Sequence, residues 1–78
     1  MRLNDQLAAE IGLLSLFNLA SHQEGLKVHG NAELAMIEAA KRLFDKGLIS
    51  QDDGGYLTDL GIEAAEHAEK LLTILTSA

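Results

Sequence analysis

The stretch that decides the fold runs from Leu43 to Leu72 and reads LFDKGLISQDDGGYLTDLGIEAAEHAEKLL. Gly47 stands where a helix needs a residue of positive φ to end, and Lys46 before it suits the negative end of the helix dipole. An Asp-Gly pair between two apolar steps is a strong hairpin signal, because tight turns need positive φ at their centre. The stretch therefore predicts a helix, a β-hairpin and a second helix, in that order.

The residues around the turn indicate where the hairpin strands lie and where the last helix begins. The strand-forming pairs Leu48-Ile49 and Tyr56-Leu57 flank a predicted turn, Asp52-Asp53-Gly54-Gly55. At least one of the two glycines is expected at positive φ, where a side chain is strained. Thr58 can accept a hydrogen bond from a free N–H group at the start of the next helix. That helix is expected to run from Asp59 to about Leu75.

Ahead of this stretch, the pattern predicts a first helix and a short strand. A helix capped by Asn4 or Asp5 is expected to run to about Ala20, because apolar residues recur at helical spacing. The connector 21–30 follows, and within it Leu26 to His29 alternate apolar and polar side chains. This alternation suits an edge strand, which we expect to pair with the hairpin.

A central helix is expected from Ala32 to Lys46, with Asn31 as its cap. Five apolar side chains at helical spacing are predicted to face the core: Leu34, Ile37, Ala40, Leu43 and Phe44. The opposite face is predicted to carry Asn31, Ala35, Glu38, Ala39, Arg42 and Lys46.

Apolar residues on more than one face of the first helix point to a second copy of the chain. One small core can cover only part of such a helix, and chains of this length often gain stability by oligomerising. Wrapping of the helix by its own two neighbours is the alternative. The predicted homodimer interface contains Leu13, Leu16 and Phe17 on the first helix. It also contains Ile62 and Ile74, which lie outside the main apolar stripe of the last helix.

Composition sets the class of protein. A chain of 78 residues makes a single domain, 1–78, and the absence of cysteine excludes disulfides and thiolate metal sites. No signal peptide or membrane span is indicated, so we expect a cytoplasmic protein with no membrane partner. Twelve acids against six bases give a net charge of −6, the wrong sign for attraction to phosphate. From Asp52 to Glu69 there are six acids and no base.

No pattern of residues indicates catalysis, so an enzyme is not expected. The imidazoles are His22, His29 and His67, and none has a ligand set at metal-site spacing around it. We therefore expect no metal and no cofactor.

The steps Gly47-Leu48-Ile49 and Leu57-Thr58-x-x-Gly61 resemble the wing and following helix of winged-helix regulators of the MarR and PadR type. The whole chain also resembles a family of very short gammaproteobacterial proteins, some of which are labelled DNA-binding proteins. These resemblances imply an α+β, winged-helix-like domain of order α-β-α-β-β-α. They imply a small transcriptional regulator as its function.

In that frame the central helix would read DNA, with Asn31, Lys41, Arg42 and Lys46 as the nucleic-acid contacts. Two features depart from the resemblance. The connector leaves room for at most one turn of the usual supporting helix, and the wing tip Asp52-Asp53 would be repelled by phosphates. DNA binding is therefore expected to be weak. The competing hypothesis is an acidic protein-interaction module that does not bind DNA.

Overall fold

Three helices and a three-stranded antiparallel sheet form the part of the chain that the computed structural model describes, residues 2–21 and 23–77. In chain order the elements are α1 (Asp5–Leu14), β1 (Leu26–Lys27), α2 (Leu34–Asp45), β2 (Ile49–Gln51), β3 (Gly54–Leu57) and α3 (Asp59–Thr76). The prediction of an α+β domain with the order α-β-α-β-β-α is confirmed. His22 lies outside the described residues.

The sheet joins the connector to the hairpin, as predicted. Its strand order is β1-β3-β2, and both β1 and β2 run antiparallel to β3. The helices pack around one apolar core that includes the start of β2. The buried members of this core are Leu13, Leu14, Phe17, Ala39, Ala40, Leu43, Ile49 and Ala65.

Local hydrogen bonds fix the helix starts that the sequence indicated. The Asn4 side chain accepts from the Leu7 N–H at 2.8 Å, and Thr58 Oγ1 accepts from the Gly61 N–H at 3.1 Å. Gly47 has a φ of 79° after the end of α2. These caps and the C-terminal glycine are therefore confirmed.

The hairpin turn is tighter than predicted, and both of its glycines lie in β3 instead of in the turn. Gly54 and Gly55 have φ values of 129° and 76°, so the expectation of positive φ is confirmed. A Cβ on Gly54 would lie 2.1 Å from the carbonyl oxygen of Leu26. Glycine at this position is what allows β1 to pair closely with the hairpin.

Thr58, which links β3 to α3, is hydrogen-bonded to the residues that follow α2. Thr58 Oγ1 also donates to the Gly47 carbonyl at 2.6 Å, and its backbone N–H donates to the Leu48 carbonyl at 3.1 Å. A Cβ on Gly61 would lie 1.9 Å from that same Leu48 oxygen. In the Leu57-Thr58-x-x-Gly61 step, Thr58 therefore joins the start of α3 to the preceding loop by hydrogen bonds. Gly61 avoids the clash that a side chain would make with the Leu48 carbonyl.

The prediction that the first helix runs to Ala20 is wrong, because α1 ends at Leu14. The Ser15 hydroxyl donates to the Gly12 carbonyl at 2.6 Å, and the next N–H groups shift to partners three residues back. The Asn18 side chain then accepts from the Ala20 N–H at 2.9 Å. Local side-chain bonds of this kind compete with the helix and end it.

The predicted start and core face of the central helix also need correction. α2 starts at Leu34, with Glu33 at the N-cap and no side-chain cap bond, so Asn31 is not its cap. Leu34 and Phe44 are 68% and 43% exposed, whereas Ala39 is fully buried. α2 is rotated about its own axis relative to the predicted orientation, because α1 packs against it. The small Ala39 side chain lets the two helix backbones come close.

Candidate functional site

The residues predicted to contact DNA divide into two groups, and the first group, Arg42 and Lys46, forms ion pairs within the protein. Arg42 Nε donates to Glu10 Oε2 at 3.0 Å, and Lys46 Nζ donates to Glu10 Oε1. Arg42 Nη2 also reaches the Gln6 carbonyl at 3.3 Å. We call Glu10, Arg42 and Lys46 the Glu10 cluster; it joins α1 to the second half of α2.

Glu10 is buried, with 5% of the residue exposed. Burial alone would raise the pKa of its carboxyl, but hydrogen bonds from Lys46 and Arg42, together with their positive charges, outweigh this and lower the pKa below its ordinary value. Glu10 is therefore ionised at neutral pH. Arg42 and Lys46 share this carboxylate, so both cations already have an anionic partner within the protein.

Sequence reasoning missed Glu10, which is not among the predicted site residues. The sequence did contain a signal for a buried carboxylate. Leu3, Leu7, Ile11 and Leu14 form an apolar stripe on the first helix, and Glu10 lies beside that stripe, directly before Ile11. A carboxylate at the edge of a buried face needs a cationic partner. Only the fold reveals that the partner comes from the second half of α2.

The second group, Asn31 and Lys41, remains at the surface. Lys41 lines a cleft of about 240 Å³ between α2 and the hairpin, which also contains Lys27, Asp52 and Asp53. Lys27 forms an ion pair with Asp53, and this hydrogen bond lowers the pKa of the Asp53 carboxyl. The cleft therefore presents little net positive charge.

The surface of α2 that faces away from the core is mixed, with acids in excess. Its exposed residues recur at helical spacing, and we call them the α2 outer face: Leu34, Glu38, Lys41 and Asp45. Two carboxylates stand against one ammonium group. This is not the basic surface that a DNA-reading helix presents.

The predicted dimer residues are also divided by the fold. Leu13 and Phe17 are 1% and 5% exposed and belong to the core of the protomer, so they do not lie at its surface. The early end of α1 is the reason, since it turns the chain and directs Phe17 inward. Leu16 and Ile74 are 58% and 69% exposed, and Ile62 is half-buried. These three remain available to a second copy.

Two apolar surfaces stand out. A cleft of about 210 Å³ lies between the end of α1, β1 and the start of α2, and it is lined by Leu16, Val28, Met36 and the predicted contact Asn31. The other surface runs along α3, where apolar residues from the first turn to the last are half or more exposed: Leu60, Leu71, Ile74 and Leu75.

Among residues 2–21 and 23–77, no three His, Asp or Glu side chains are grouped so that they could hold a metal ion. None of the helices in these ranges has both the length and the apolar character required to cross a bilayer.

The family model of DUF5669, a family of unknown function, matches residues 1–76. The chain belongs to this family. No curated protein and no solved structure matches the chain. Membership in the family carries no activity with it, so the surfaces described above provide the basis for a function.

Proposed function

We propose that this DUF5669 chain is a small, non-enzymatic, winged-helix-like module that acts in the cytoplasm as a homodimer and binds a protein partner. The observation that carries the proposal is the Glu10 cluster. It occupies Arg42 and Lys46, two of the cations on which DNA binding would depend. What remains on the α2 outer face favours a partner other than a polyanion.

The chemistry of that partner follows from the charges around it. Glu38, Asp45 and Asp52 are exposed on α2 and the hairpin, while the chain as a whole carries −6. Such a surface attracts a partner rich in Lys and Arg, since complementary charges speed encounter and select the register. Leu34, which is 68% exposed and stands one turn before Glu38, supplies an apolar contact at the N-terminal end of this face.

Weak DNA binding is the second candidate, and the exposure of Asn31 and Lys41 favours it. The ion pairs within the described ranges involve neither of these residues. Each phosphate contact contributes about −0.9 to the slope of log K against log salt, so one or two contacts give a shallow salt dependence. Binding of this kind would need a partner to reach useful affinity.

Photo-crosslinking in cells distinguishes the two candidates. A photo-reactive phenylalanine analogue in place of Leu34 is expected to give nuclease-resistant adducts with protein. The matched control places the analogue at Glu69, which is also exposed but lies on α3. Adducts at position 34 that nuclease removes would overturn the proposal in favour of DNA.

Fluorescence anisotropy with a mixed-sequence duplex provides the second measurement. Wild-type protein is expected to give no binding at moderate salt, and Lys41→Ala is expected to change nothing. Binding that persists at moderate salt and is lost in Lys41→Ala, but kept in a control variant of another exposed base, Arg2→Ala, contradicts the proposal.

A further inference from the structure

One face of α3 is largely apolar and exposed, and its residues are spaced for contact with another helix. Its residues follow one another at intervals of four, three, four and three, the repeat of a two-helix seam. We call them the α3 seam: Leu60, Ala64, His67, Leu71 and Ile74. Leu60, Leu71 and Ile74 are 53%, 51% and 69% exposed, His67 is exposed and Ala64 is half-buried.

We infer that the α3 seam pairs with the α3 seam of a second copy, antiparallel, about a two-fold axis near the middle of the helix. This inference locates the homodimer proposed above and rests on it. With Leu60 opposite Leu71 of the other copy, Ala64 falls opposite His67. The symmetry produces each contact twice, as an isologous interface requires.

The charges beside the seam support a second copy as the occupant. Glu63 and Lys70 flank the seam on the same side, one helical heptad apart. In the antiparallel register, Glu63 of each copy falls near Lys70 of the other, which gives two ion pairs of opposite charge across the axis. Lys70 forms no ion pair with any residue in the described ranges 2–21 and 23–77, so it is available for this contact.

The alternative orientation is less favourable. In a parallel pair of α3 helices, the flank that carries Glu63 and Lys70 would lie against the opposite flank of the partner helix, at Ala68 and Leu75. Neither charge would then gain an opposite charge across the seam, and the two copies of His67 would meet directly. The charge pattern therefore selects the antiparallel arrangement.

A charge-swap series measured by sedimentation equilibrium tests the pairing. Glu63→Lys and Lys70→Glu are each expected to weaken the dimer about tenfold, which corresponds to about 1.4 kcal/mol, because two attractions become two repulsions. The double variant Glu63→Lys/Lys70→Glu is expected to restore the wild-type affinity. Glu69→Lys makes the same charge change on another side of α3 and is expected to leave the affinity unchanged.

Leu71→Ser tests the apolar part, with Leu3→Ser as a control because Leu3 is 65% exposed and lies outside α3. The Leu71 variant is expected to weaken the dimer tenfold or more, with an unchanged circular dichroism spectrum. A dimer that tolerates Leu71→Ser and both single charge changes overturns the seam but preserves the homodimer. A wild-type monomer at the highest concentration overturns both.

Discussion

Replacing Glu10 with glutamine is expected to destabilise the fold, because it leaves two cations without their shared counter-charge. The substitution preserves the shape of the side chain, so the change in the free energy of unfolding reports charge and hydrogen bonding. Glu10 has a side-chain exposure of 6%, while Arg42 and Lys46 are 27% and 47% exposed. Solvent therefore screens the Lys46 contact more than the Arg42 contact.

The magnitude follows from these exposures. A hydrogen bond to a charged group contributes about 1.5–3 kcal/mol, and an exposed ion pair about 0–1 kcal/mol. Because glutamine still accepts a bond from Arg42, we expect Glu10→Gln to cost about 2 kcal/mol at neutral pH. At about 4–8 °C per kcal/mol for a domain of this size, the melting temperature should fall by about 10 °C.

The pH dependence gives an independent signature. The folded-state pKa of Glu10 lies below its ordinary value of 4.5, so the unfolded state binds more protons between the two values. The stabilisation is therefore complete above the ordinary pKa and is lost as the pH falls through the folded pKa. Wild type and Glu10→Gln should converge in stability below pH 4.5 and differ by a constant amount at neutral pH.

Urea denaturation followed by circular dichroism, at one protein concentration and a series of pH values, measures both effects. Glu69→Gln is the control, since it makes the same substitution at an exposed position on α3. An equal loss of stability in Glu10→Gln and Glu69→Gln would refute the role assigned to the Glu10 cluster. So would a stability difference between wild type and Glu10→Gln that does not shrink in acid.

Substitutions at two further positions, Gly54 and Thr58, each with a control variant, test the turn and the helix cap by thermal melting. Gly54→Ala should cost at least about 1–2 kcal/mol because of its positive φ, with an added clash at Leu26; Gly12→Ala has open space and should stabilise α1 by about 0.5–1 kcal/mol. Equal melting temperatures for Gly54→Ala and Gly12→Ala would contradict the close contact between Gly54 and the Leu26 carbonyl. Thr58→Ala should cost about 1 kcal/mol through loss of the bond to the Gly61 N–H, whereas Thr58→Ser should keep most of it.

The features that the sequence predicted correctly are those that depend on residues within a few positions of one another. The caps at Asn4 and Thr58, the positive φ of Gly47 and the existence of the hairpin are of this kind. A cap or a tight turn is formed by local hydrogen bonds and by the allowed φ of one residue, so the chain specifies it before any packing occurs. The order of elements followed from these local signals.

The candidate site was decided by contacts between distant parts of the chain. Helical periodicity placed Leu34 inside and Ala39 outside, but α1 packs on the Ala39 side, where small residues permit close approach. The same contact brings Glu10 to Arg42 and Lys46, 32 and 36 residues away. Hydropathy ranks single residues, whereas the buried face depends on which neighbouring element can fit against it. Only the tertiary structure therefore decided which cations remain free, and with them which partner the surface favours.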